Sequence, residues 1–93
     1  MKNKELKSVR NKLDSLAYKI LGLIKKRTSL VNQVIKIKKF KNQIVDKKRI
    51  IEVLRKIKLN SIKKKIDPKI TEKIWKSMIT SYIDYEKRKF KKK

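Results

Sequence analysis

The stretch LKSVRNKLDSLAYKILGLIKKRTSLVNQVIKIK, residues 6–38, decides the fold. Leu6, Val9, Leu13, Leu16, Ile20, Leu23, Leu30 and Val34 recur along it at helical spacing, which puts them on one face of an α-helix. No Pro interrupts residues 5–38, and the single Gly, Gly22, weakens a helix there without ending it. Thirty-four residues at about 1.5 Å each predict a rod of about 51 Å.

Outward from that rod, KFKNQI (39–44) loses the period and reads as a loop. Asp46 is a good N-cap for a second helix that carries Ile50, Val53, Leu54, Ile57 and Ser61. The run KKKIDP (63–68) breaks it. Asp67-Pro68 restarts the chain with a capping carboxylate and a Pro at the first helical position. The third helix carries Ile70, Ile74, Trp75, Met78, Ile79, Tyr82 and Tyr85, and KRKFKKK (87–93) reads as a frayed basic tail. Helices two and three, about 20 residues and about 30 Å each, cannot cover a rod of about 51 Å within one chain. The fold expected is therefore all-α, a single domain over 1–93 with one long and two shorter helices, in an intertwined homodimer whose long helices pack together.

Composition narrows the chemistry. Ninety-three residues hold 31 Lys and Arg against 8 Asp and Glu, a net charge of +23, with no Cys and no His. Those absences remove disulfides, ordinary zinc or haem sites, Cys nucleophiles and His acid–base relays. No apolar run exceeds about five residues, which excludes a membrane span or signal-peptide core and predicts a soluble, cytoplasmic protein. The charge suits nucleic acid, since Lys and Arg displace counterions from phosphates. However, only 5 of the 31 cations are Arg, and Lys, Ile and Asn together make 45 of 93 residues, as A/T-rich coding would produce. Lysines spread along the whole chain, without Gly-rich or aromatic-interleaved segments, favour drift over a nucleic-acid partner. The scarce arginines carry the information.

Arg27 falls on the apolar stripe, between Leu23 and Ile24 on one side and Leu30 and Val31 on the other. Lys38 continues that stripe: eleven residues turn about 20° past three full turns and rise about 16 Å. Two long cationic side chains at that spacing can close on a small anion. Arg10 lies about 25 Å from Arg27 and about 100° round the helix, so it suits the site of a partner chain rather than its own. The plainer reading makes Arg27 and Lys38 flank residues with stems on the core and heads in water. Glu86 follows Trp75, Met78, Ile79 and Tyr82 along one face of helix three, either as a salt-bridge partner for surplus lysine or as a buried acid. Asp46 reads first as a helix cap, and Trp75 and Met78 as core.

Taken together, the first stretch, IVDKKR (44–49) and IDPKITEKIWKSMITSYIDYE (66–86) resemble the all-helical chorismate mutase family. Arg10, Arg27, Lys38, Asp46, Arg49 and Glu86 stand where that family has its cations, its acid and its late acid or amide. The resemblance implies an isomerase of aromatic amino-acid biosynthesis, rearranging chorismate to prephenate as an intertwined dimer with no cofactor and no metal. Such a pericyclic reaction needs a dianion held compactly and charge stabilised on an ether oxygen. By resemblance, Arg10 of the partner and Arg27 bind the two carboxylates, and Lys38 and Glu86 donate to the ether oxygen. Arg49 supports the carboxylate end, and Asp46 the ring-hydroxyl region.

Two positions depart from the pattern. Ile50 stands where the family usually has a Glu on the ring hydroxyl, and Tyr82 where a Ser is common. Both look more like the isochorismate-pyruvate lyase branch of the same fold, which yields salicylate and pyruvate. Mutase, lyase, a non-catalytic member of the fold and a Lys-rich nucleic-acid binder are the readings the sequence leaves.

Overall fold

The structure, a computed structural model, describes residues 2–90. Three helices follow one another: α1 (Lys2–Ile37), α2 (Lys47–Lys63) and α3 (Pro68–Lys89), with a 3-10 turn at Lys41–Gln43 between the first two. Among the described residues the fold is all-α, as the periodicity predicts. α1 holds 36 residues, about 54 Å of helix. It ends one residue earlier than expected, although the Lys38 amide still donates to the Val34 carbonyl at 3.0 Å. The expected loop at 39–44 contains the 3-10 turn.

Both predicted starts are capped as their residues dictate. Asp46 Oδ1 accepts from the Arg49 amide at 3.0 Å and Asp67 Oδ1 from the Lys69 amide at 2.9 Å. The expectation of a frayed tail from 87 onward is corrected for its first part, because Lys87, Arg88 and Lys89 form the last turn of α3. Cations suit a helix C-terminus, and Arg88 pairs with Asp84 one turn back at 3.3 Å. Residues 91–93, the rest of that tail, lie outside the described residues.

Contacts divide the chain into two units, Met1–Gln33 and Val34–Lys93, with the boundary inside α1. In the first unit the apolar stripe lies open: Leu13 is 58% exposed, Leu16 53% and Leu23 62%. In the second unit α2 packs on α3. Val53, Leu54 and Ile57 are half-buried on α2, and Trp75, Met78, Ile79, Tyr82 and Ile83 on α3. Ile35 and Ile44 are the buried hydrophobic residues of this unit.

A hydrogen bond joins the two helices near their connection. Ser61, buried, donates from Oγ to the Ile57 carbonyl at 2.6 Å and lies 2.7 Å from Thr71 Oγ1. With its own proton committed, Ser61 accepts from Thr71, whose alternative acceptor, the Pro68 carbonyl, is farther at 3.3 Å. The end of α2 closes through the Ile66 amide on Ser61 O (2.8 Å) and the Lys65 amide on Ile62 O (3.1 Å). Lys65 has φ 59°, the left-handed region where Gly is the usual choice.

Candidate active site

In the second unit the polar centre is built from three pieces of chain. Lys38, just past α1, projects its ammonium at Glu86 near the end of α3, with Nζ 3.4 Å from Oε1. The same ammonium donates to the carbonyl of Ile44, at 3.3 Å, in the segment between the 3-10 turn and α2. Their side chains are only 20% and 11% exposed. Charged groups so far from water are costly unless paired, so each holds the other in place. Glu86 therefore matches the salt-bridge reading of its face, with Lys38 as the partner.

Beside Lys38 lies an open groove of about 520 Å³, lined by Lys38, Gln43, Val45, Asp46, Lys47 and Lys48. Three of its six lining residues are cations and one is an acid, so its field is positive. Asp46 points its carboxylate at the first turn of α2 and serves as the cap. Arg49, exposed on α2, donates from Nη1 to Glu52 Oε1 at 2.6 Å. The Arg49 guanidinium, and then the charge of Lys56, hold the Glu52 carboxyl below its ordinary range. Ile50 is half-buried one residue further on.

Tyr82 is half-buried on α3 and meets Tyr85 edge to face, ring centroids 6.2 Å apart. The Arg88 guanidinium and the Lys89 ammonium each lie 5.9 Å from the Tyr85 ring centre. Lys38, Asp46, Arg49, Ile50, Tyr82 and Glu86 all belong to the second unit, and Lys38 and Glu86 are the pair brought into contact there. Arg10, exposed, and Arg27, half-buried, belong to the first unit.

Two structural residues escaped the sequence reading. Ser61 falls at a helical position to which the sequence gives no role, and its match with Thr71 joins residues ten apart. Gln43 lay inside a segment read as loop. Its signal was present: a Gln three residues after Phe40 sits where a capping-box side chain reaches back to the first amide of a turn. Phe40 cannot return the bond, so half the motif was missing.

The family follows from comparison. A model of the chorismate mutase type II family matches residues 9–87, spanning Arg10 to one residue past Glu86. The chain belongs to the chorismate mutase type II family. It is thus an isomerase with chorismate as substrate. No curated protein and no solved structure matches the chain. Among the described residues, no helix is long and apolar enough to cross a membrane.

Proposed function

We propose that this enzyme rearranges chorismate to prephenate in a cationic site that a second copy of the chain completes. The observation that carries this reading is the shielded Lys38–Glu86 pair beside a cation-lined groove. Lys38 donates to the ether oxygen on which charge grows as the bond breaks, and Glu86, its ion-pair partner in the free enzyme, donates there when it carries a proton. Arg27 and the Arg10 of a partner grip the two carboxylates bidentately. Arg49 supports the carboxylate end and Asp46 the ring-hydroxyl region. The surplus positive field of a +23 chain speeds capture of a dianion.

The open stripe on α1 supports the homodimer. Seven large apolar residues at helical spacing, from Leu6 to Leu30 along the stripe, are 47% exposed or more, an arrangement that a second long helix would cover. The position of Lys38 also weighs against a nucleic-acid binder, for which this cation should face solvent rather than Glu86.

A second reading rests on Ile50 and Tyr82. An apolar Ile50 makes no hydrogen bond to a ring hydroxyl, and the aromatic Tyr82 stands at a position where Ser is common. Both suit cleavage of isochorismate to salicylate and pyruvate. Proton NMR of the purified full chain with chorismate tests the two. Prephenate formed well above the uncatalysed rate, and lost in Arg27→Ala, is the expected result. An equal mixture of inactive Arg10→Ala and Arg27→Ala chains should regain about a quarter of the activity, because half the dimers are hybrids with one intact site. Unchanged chorismate, with pyruvate released from isochorismate, would move the enzyme to the lyase reaction.

A further inference from the structure

Lys38 sits one residue past α1, its amide still bonded to the Val34 carbonyl, and from there on the helix no longer fixes the chain. Its direction depends on what holds residues 39–44, because an acceptor of its ammonium, the Ile44 carbonyl, lies at the far end of that turn. Two features hold it. Ile44 is buried, 4% exposed, and anchors the end of the turn by its side chain. Gln43 ties the start: its Oε1 accepts from the Lys39 amide at 2.8 Å and from the Phe40 amide at 2.9 Å. Its own amide donates back to the Phe40 carbonyl at 3.0 Å. The orientation of the Gln43 side chain is fixed by chemistry, since both partners are donors and only the carbonyl oxygen can accept.

These amides would otherwise need water, being at the junction where α1 stops. With them tied to Gln43, the turn from Lys38 to Ile44 is closed at both ends. Gln43 also borders the groove that Lys38 enters. We propose that Gln43 is a positioning residue for Lys38: its side-chain carbonyl clamps the Lys39 and Phe40 amides and so sets the Ile44 carbonyl where it aims the Lys38 ammonium at Glu86. This rests on the proposed role of Lys38 as donor to the reacting ether oxygen.

Gln43→Met keeps the length of the side chain and removes the acceptor; Gln43→Glu keeps the acceptor. With chorismate as substrate and the full chain as enzyme, Gln43→Met should lower kcat about tenfold with KM within about twofold, since misaimed donors cost transition-state rather than ground-state binding. Gln43→Glu should keep kcat within about twofold while raising KM, because it returns both hydrogen bonds but adds negative charge beside a site for a dianion. In the unaltered chain the Lys39 and Phe40 amides should exchange with deuterium at least about tenfold more slowly than in an unstructured peptide of the same sequence. A Gln43→Met enzyme with parental kcat, or free exchange at both amides, overturns the clamp; the exchange measurement decides should Gln43→Met fail to fold. Lys38→Met, measured alongside, separates the two ideas. If it is inactive while Gln43→Met is unimpaired, the clamp fails and the role of Lys38 stands. If it is as active as the parent, the role of Lys38 fails and takes the clamp with it.

Discussion

The first unit and the second share one helix and use it in opposite ways. Over residues 2–33, α1 carries its apolar residues into the open, Leu16 at 53% exposed and Leu21 at 62%. Over residues 34–90 the chain folds back twice, buries Ile35 and Ile44, and shields a charged pair. Amphipathic helix alone does not make a core; it needs a second apolar face, and the second unit has α2 against α3 while the first has none of its own. The two units thus differ in what completes them, a folded-back chain in one and, on the proposal above, another copy in the other.

The sharpest way to break that contrast is a charge on the open stripe. Leu16→Glu should abolish the dimer in sedimentation and lower activity by more than about a hundredfold, because an unpaired carboxylate in an apolar interface is strongly disfavoured. A Leu16→Glu chain that stays dimeric and active would show that this face is not covered. Next in size is the second unit's charged pair. Glu86→Ala removes a proposed donor and leaves the Lys38 ammonium without its carboxylate, and should lower kcat/KM by about tenfold to a hundredfold, whereas Glu86→Gln keeps a donor and should retain more of it. An unaltered kcat/KM in Glu86→Ala would remove Glu86 from the donor role.

Smaller effects probe what holds the second unit together. Ser61→Ala deletes the hydrogen bond to Thr71 and should cost about 1 kcal/mol, lowering Tm by about 4–8 °C. An unmoved Tm would mean that the apolar contacts alone join α2 to α3. The least change is Lys65→Gly, which relieves a left-handed backbone and should raise stability by about 0.5–1 kcal/mol in denaturant titration. A lower midpoint would show that the lysine stem packs better than the turn suffers.

The legible parts of the molecule are those set by local chemistry. Asp46 and Asp67 cap their helices because a short carboxylate accepts the amides two or three residues on, and that geometry is written within four residues. The three helices follow from period and Pro placement in the same way. The end of α3 is less legible, because Lys87, Arg88 and Lys89 look like a solvated run, whereas cations at a helix C-terminus favour continuation. Gln43 was illegible as a clamp since its partners, the Lys39 and Phe40 amides, are backbone groups that no side-chain pattern displays.

By itself, then, the sequence determined an all-helical chain, its caps, the apolar stripe along α1 and a pattern that one enzyme family shares over residues 9–87, because helix period and capping act over a few residues. Tertiary structure alone decided that Lys38 meets Glu86, forty-eight positions away, and that Ser61 meets Thr71. Such pairings depend on how α3 returns past the end of α1 and along α2, and distance along a chain does not state distance in space.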